Sequence, residues 1–488
     1  MMLGRHHLSA AVAAIFLLSI ASPVCCFLEH APARGRQWKH ALPKSQVPTT
    51  VGKRNSIRDL QLSPTGGAQE KGGTATIPNE IFNLVKCIVG AGVLSLSAGV
   101  AEFGNAPSAL IPATLLIVLM GATSAYTFSL LARVSAMTGA TSYPDAWDKT
   151  RGKATAWIIA ASSALDCFAG NLTYSMVLAD TFKALLAAIG IGVSRTNALL
   201  GLTSLVLLPL CLVKNLSALA PFSLVGIMGM LYTTLAIGVR YFGGAYASPA
   251  GRLLSELPSH MQPSFGSTGA MGAFSPKSLL LVCMLSTAYI AHFNAIKFYK
   301  ELKNNTIERF NVVVTSSFGI AIALYVAVTS MGFLTFGSST AGMILNNYAT
   351  KDVLISLSRF AVAVSLVFSY PLLFVGTRDG LFDLIKVPEE KRTDSLQNKV
   401  SVGLVAILTG LAIQVNNLTF VASMSGALLG TALIFIFPTL MFRAAVAKMG
   451  DKATKTQRFE SKLSGVIAGV GVIVGGIGTK LALKTLSA

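Results

Sequence analysis

The chain has 488 residues, 53% of them hydrophobic and only 12% charged, with a mean hydropathy of +0.64. Soluble domains carry roughly 25% charge, so the composition excludes an ordinary soluble domain and indicates a polytopic, all-α membrane protein embedded in a lipid bilayer. The net charge of +19 does not indicate a nucleic-acid partner, because the basic residues sit in short loops and an N-terminal leader rather than on one domain.

The leader comes first. Residues 1–26 have a basic start (Arg5, His6, His7), an apolar run from Leu8 to Val24 and small residues before Phe27. This is a signal-peptide pattern, too short for a first-choice membrane span. Residues 27–73 hold eight Lys/Arg against Glu29, Asp59 and Glu70, with Ser, Thr, Pro and Gly throughout. Such a tract cannot bury a core and reads as disordered. A signal peptide, an aromatic at Phe27 and a basic, acid-poor tract resemble the bipartite presequences of algae with secondary plastids. The expected destination is then a plastid envelope membrane. An ordinary secretory signal, leading to an endomembrane, vacuolar or plasma membrane, is the alternative. Cys25-Cys26 departs from the usual small residues before such a cleavage point.

Eleven apolar runs follow, at roughly 79–100, 107–131, 155–182, 197–213, 220–242, 278–298, 311–335, 353–375, 400–415, 420–441 and 463–483. Loops on the side of residue 79 hold twenty Lys/Arg against six on the other side. That bias supports both the count and an orientation with the residue-79 side in the cytosol. Spans one to ten occupy residues 78–445, and residues 446–488 form a basic loop and the eleventh span. Eleven spans suit a five-plus-five inverted repeat with one helix added.

The first span carries Gly90-Ala91-Gly92 near its middle and Lys86 just before it. Glycines weaken a helix, and a lysine in hydrocarbon is costly. A mere anchor needs neither, whereas a helix that opens in mid-membrane to present backbone to a solute uses both. Close packing of a neighbour against the glycines is the alternative. In the sixth span Ser286-Thr287-Ala288-Tyr289 interrupts the apolar run with small and polar residues, and His292 follows. Corresponding positions in the two halves are thus both weak. If the first span unwinds, the amides of Gly90, Ala91, Gly92 and Val93 start a half-helix that favours a carboxylate. Carbonyls freed at Ser286, Thr287 and Ala288 would hold an ammonium. This pair of subsites binds the group common to all amino acids and leaves the side chain unspecified.

Few charges lie within the spans: Lys86, Asp166, Asp180 and Arg359, with His292 as a titratable addition. By helical rise Lys86 lies about 10 Å and Asp166 about 16 Å from the residue-79 surface, a similar depth at which they could pair. Asp180 and Arg359 fall toward the opposite surface and could pair there. His292 reads as a hydrogen-bonded core histidine, with proton linkage as the sharper alternative. In the eighth span Ser365 and Ser369 stand one turn apart on one face. In the eleventh, GVGVIVGGIG (469–478) lacks a preceding strand and reads as a packing face, with Gly465/Gly469 and Gly471/Gly475 spaced four apart. Cys87, Cys167, Cys211 and Cys283 lie singly in apolar runs and read as buried small hydrophobes. No metal-ligand spacing and no cofactor motif is present, and nothing indicates an enzyme.

NLVKCIVGAGVLSL in the first span resembles the amino acid/auxin permease family. So do SYPDAW (142–147), LPLCLVKNLSALAPFSLVG (208–226), AHFNAIKFYKELKNNT (291–306), GFLTFGSSTAGMILNNY (332–348) and SRFAVAVSLVFSYPLLFVGTRD (358–379). The resemblance covers about 78–445. It implies a LeuT-type fold and secondary active transport of amino acids driven by a proton or sodium gradient. It also implies that hydroxyls of the eighth span, here Ser365 and Ser369, and groups of the first span enclose a coupling ion. The family's helix-one ending LSLPYA is here LSLSAG, its FPxRD is here VGTRD, and Lys86 stands where sodium-coupled members often have asparagine. The expected coupling ion is therefore a proton rather than sodium, with Lys86, Asp166, Ser365, Ser369 and His292 as the coupling residues and no bound metal. A sodium-coupled symporter, or an amino-acid-binding membrane sensor that hardly transports, are the alternatives.

Overall fold

The computed structural model describes residues 73–213 and 222–485, so the leader readings fall outside the described residues. Helices α1 (Ile77–Ile88) and α2 (Leu96–Ala101) form the first span. They are followed by α3 (Leu110–Thr138), α4 (Tyr143–Arg151), α5 (Ala156–Ala188), α6 (Arg195–Leu202), α7 (Leu208–Leu212) and α8 (Phe222–Phe242). The second half holds α9 (Ser278–Ala288), α10 (Ala295–Glu301), α11 (Ile307–Phe336), α12 (Val353–Leu384), α13 (Asp394–Gln414), α14 (Leu418–Ser425), α15 (Phe437–Met449) and α16 (Lys455–Lys484). Each of the eleven apolar runs coincides with one helix or a consecutive pair. Among the described residues eight helices are long and apolar enough to cross a membrane, or nine with the bent pair Ile77–Ile88 and Ala91–Ala101. The isolated bridges Ala75–Leu302 and Ser264–Gly337 are the extended pairings among the described residues.

Local chemistry sets the helix limits. Side-chain oxygens of Thr76, Ser142, Ser194, Thr306, Asp352, Thr393, Asn417 and Thr454 each accept a hydrogen bond from an N–H of the first turn, satisfying donors a helix start leaves open. Gly139 ends α3 at φ 67°, the left-handed conformation that glycine adopts without a Cβ clash. Apolar side chains coat the outside, with Ile111 72%, Leu205 78% and Phe242 82% exposed. In water such a surface would aggregate, and in a bilayer it is solvated by lipid.

The interior is organised by α12, which packs along α5 and α8, and by α11, which packs along α1 and α3. The tenth span contains two π-helical turns, Gly426–Gly430 and Ala432–Ile436, and the first lies against α9. A Cβ at Gly426 would strike the Cys283 carbonyl oxygen, so this contact requires glycine. Gly471, Gly475 and Gly478 of α16 approach Phe435, Ala427 and Cys283, and Gly465 faces Arg443. Gly469, expected on that packing face, has open space around it.

The expected Asp180–Arg359 pair does not form. Asp180 accepts from Arg195 Nε at 2.7 Å, because α6 begins just across the short loop from the end of α5. Arg359 is 1% exposed and spends its donors on backbone, giving hydrogen bonds to Leu345 O (2.8 Å), Tyr348 O (2.7 Å) and Ala349 O (3.3 Å). The unwound segment before α12 leaves these carbonyls without helical partners, and a guanidinium answers several at once.

A cavity between two interrupted spans

The first span breaks where its glycines stand. Helix α1 ends at Ile88, Val89 and Gly90 are extended, and a 3₁₀ turn from Ala91 to Ser95 leads into α2 with a bend of 42°. The sixth span breaks in parallel. Helix α9 ends at Ala288, and the chain regains helical form through a 3₁₀ turn at His292–Asn294 that opens α10.

The two breaks touch. A Cβ on Gly92 would lie 3.2 Å from Ala288 Cα and 3.3 Å from Ala288 Cβ, closer than ordinary packing. Each broken helix leaves carbonyls that no longer meet an N–H four residues on. Tyr325 of α11 reaches both, its hydroxyl lying 2.8 Å from Ile88 O and 2.7 Å from Ala288 O. One hydroxyl hydrogen is thus offered to both spans. Tyr289 lies against the Tyr325 ring at 4.7 Å between centroids and donates to Ile117 O at 3.1 Å.

A cavity of about 120 Å³ opens beside this junction. Gly90, Ala91, Gly92 and Ser95 line it from the first span, and Thr287, Ala288, Ile290 and Phe293 from the sixth. Asp166, Gly170 and Tyr174 of α5, Leu373 of α12 and Ala422 and Ser425 of α14 add to the wall. Cys87 also lines it and is exposed, unlike the buried Cys167, Cys211 and Cys283. Asn83, one turn before Cys87 on α1, is exposed as well, whereas Ser95 to Val100 beyond the break are buried.

A second cavity of about 30 Å³ lies behind the same break. Lys86, Gly90 and Ala91 face Gly226, Ser365 and Ser369 across it. A Cβ at Gly226 would lie 2.6 Å from Ser365 Oγ, which shows how closely α8 and α12 meet there.

The structure thus divides the sequence-predicted residues. Gly90, Ala91, Gly92, Thr287 and Ala288 share the larger cavity with Asp166, while Lys86, Ser365 and Ser369 share the smaller. Val93 and Ser286 are buried beside the breaks without lining either cavity, and Ser286 donates to Val282 O one turn back. Thr287 donates to Ala422 O at 2.7 Å, tying the sixth span to α14. No ion pair joins Lys86 to Asp166, because the broken first span stands between the cavities they line. His292 lies apart from both cavities, fully buried against the edge of Phe128. Its Nε2 lies 3.0 Å from Thr127 Oγ1 and 3.2 Å from Ser124 O, the arrangement of a hydrogen-bonded core histidine.

Sequence reasoning did not single out Tyr325, Tyr174 or Ser425. A lone tyrosine in an apolar run was the available signal, since its hydroxyl needs a partner when buried. Nothing in the pattern says which carbonyl it meets.

Known proteins resemble this chain along most of its length. Residues 73–481 match the family described as transmembrane amino acid transporter protein. A Danio rerio protein named putative sodium-coupled neutral amino acid transporter 11 is 25% identical over 379 residues, covering 76% of this chain and 80% of that protein. Amino acid transporter AVT6E of Arabidopsis thaliana is 25% identical over 430 residues, covering 83% of each. The crystal structure of MhsT in complex with L-phenylalanine superposes with a TM-score of 0.52 at 14% identity, over 84% of this chain and 99% of that one. The likeness in coordinates shows a shared fold, the LeuT-type architecture that the family resemblance implies. With the match spanning residues 73–481, the chain belongs to the transmembrane amino acid transporter family.

Proposed function

We propose that the protein is a secondary active transporter that binds an amino acid in the larger cavity and couples its movement to a proton. The meeting of Gly92 with Ala288 beside that cavity carries the reading, because two interrupted spans then present unpaired backbone to one solute. The amides of Ala91 and Gly92 take the substrate carboxylate. The carbonyl ends at the sixth-span break, shared with Tyr325, take its ammonium.

The relatives' names speak of sodium for those proteins. The preference for a proton here rests on Lys86, which lines the smaller cavity with Ser365 and Ser369. An ammonium and a sodium ion about 4 Å apart repel by about 4 kcal/mol at an effective dielectric near 20. Lysine in that cavity supplies a fixed cation where a mobile one would otherwise sit. Uptake of a mixed amino-acid panel into proteoliposomes, with proton and sodium gradients imposed separately, tests both parts. Uptake driven by the proton gradient alone is expected. Sodium-stimulated uptake with no response to a pH gradient defeats the coupling assignment, and absence of any uptake defeats transport.

We further propose that residues 1–73 deliver the protein to a plastid membrane, on the sequence order of signal peptide, Phe27 and basic tract. A fluorescent protein fused behind these residues should reach the plastid of a secondary-plastid alga, and Phe27→Ala should stall it on the way. Secretion of the unmutated fusion leaves only an ordinary signal peptide.

A further inference from the structure

Asp166 is 7% exposed, and what remains exposed faces the larger cavity. Among the described residues it has neither a hydrogen-bond nor an ion-pair partner. A carboxylate buried this deeply is costly unless a counter-charge meets it. The lysine nearest in depth, Lys86, lines the other cavity behind the broken span. Three of the hydroxyls that line the larger cavity are engaged elsewhere: Thr287 donates to Ala422 O, Ser95 to Gly92 O and Thr173 to Ala169 O.

The position along α5 is as informative as the charge. A Cβ on Gly90 would lie 3.6 Å from the Tyr174 hydroxyl, so Tyr174 marks the level of the first-span break. Asp166 lies two turns earlier on the same helix, about 12 Å along the axis. The path between the two levels runs along Gly170, where Leu373 fills the space a side chain would take, so the wall there is apolar. An amino acid held by its backbone groups at the breaks would send its side chain along this path. The path passes an apolar side chain and reaches a carboxylate. A four-carbon stem with a terminal ammonium, or an arginine side chain, matches each of those features in order.

We infer that the cavity selects amino acids with a cationic side chain, with Asp166 as the group that recognises the charge. This rests on the transport reading above and names its substrate class, which differs from the neutral cargo in the names of several relatives. The carboxylate then completes its ion pair only when cargo is present, so the pair contributes to selectivity rather than to the stability of the empty protein.

The test is counterflow exchange with the full-length protein in proteoliposomes, comparing labelled lysine and arginine with labelled leucine and alanine. The unmutated protein should exchange the cationic pair at least about tenfold faster, and Asp166→Asn should lower that exchange by about tenfold or more, so that the preference over the neutral pair is lost. Asp166→Glu should retain the cationic preference, which separates loss of charge from loss of fold. Exchange of the neutral pair in preference to the cationic one by the unmutated protein overturns the inference and leaves transport standing. An Asp166→Asn variant that changes only the pH dependence of neutral exchange overturns it too, assigning Asp166 to a proton. Exchange of no amino acid overturns the transport reading and this inference together.

Discussion

At Gly92 a side chain has nowhere to go, and at Gly90 it has. A Cβ on Gly92 sits 3.2 Å from the sixth span's backbone, whereas on Gly90 it meets only the Tyr174 hydroxyl at an ordinary 3.6 Å. Neither glycine has a positive φ, so the requirement is space rather than backbone strain. Gly92→Val should force the two breaks apart and abolish uptake. Gly90→Ala should fold normally and reduce uptake only partially, while Gly90→Val, by filling the cavity, should abolish uptake in a protein that still purifies as a folded species. Wild-type uptake by Gly92→Val would contradict the contact between the breaks. Tyr325→Phe is the complementary change. It keeps the ring and removes the one donor that Ile88 O and Ala288 O share. A buried acceptor left without its donor costs about 1–3 kcal/mol, so the variant should unfold at lower denaturant in detergent and transport more slowly. Unchanged stability would show that the hydroxyl is not what holds the two ends together.

Among the elements, α8 and α12 are clamped at the surface opposite residue 79. Asp352, the N-cap of α12, accepts from Arg240 Nε at 2.8 Å and Nη2 at 2.6 Å, from Tyr246 Oη at 2.9 Å and from Ile355 N at 3.3 Å. Burial alone would raise the Asp352 pKa, but these donors outweigh it and hold it below the usual aspartate value. The folded carboxyl therefore binds its proton less readily than the unfolded one. Its stabilisation is complete above the unfolded value near 3.9, falls as the pH drops below that value, and is lost once the pH has passed the lower folded value. Asp352→Asn should cost about 3 kcal/mol at neutral pH, because it leaves Arg240 half-buried without its counter-charge. It should also flatten the acid limb of stability. Detergent unfolding curves at a series of pH values read both effects. An acid limb unchanged by the mutation would place the titrating group elsewhere.

On the scale of the whole molecule, the proposed function assigns the larger cavity to the substrate and the smaller to the coupling group. The first-span break belongs to both, since Gly90 and Ala91 line each. Movement at one break therefore alters both chambers. Lys86→Asn, which removes the fixed cation from the smaller chamber, should lower proton-driven uptake and introduce sodium-stimulated uptake. Transport assays in opposed gradients check this. Proton-driven uptake at the unmutated rate would show that Lys86 takes no part in coupling.

The sequence by itself determined the order of the apolar segments, since a bilayer demands about 20 apolar residues per crossing, but not their number: it predicts eleven spans, whereas eight or nine helices among the described residues are long and apolar enough to cross. It also located the first break, because Gly90-Ala91-Gly92 is locally poor helix, whereas in the sixth span Ser286 and Thr287 stay helical and the chain opens only beyond Ala288. Helical rise placed Lys86 and Asp166 at similar depth, but depth along an axis says nothing of rotation about it. Only the tertiary structure put the broken span between them, turned Arg359 toward backbone carbonyls instead of Asp180, and set His292 among Ser124, Thr127 and Phe128, away from both cavities. Tyr325 makes the same point. Its need for a partner is local chemistry, whereas the two carbonyls it answers lie 237 and 37 residues away in the chain, a pairing that packing alone decides.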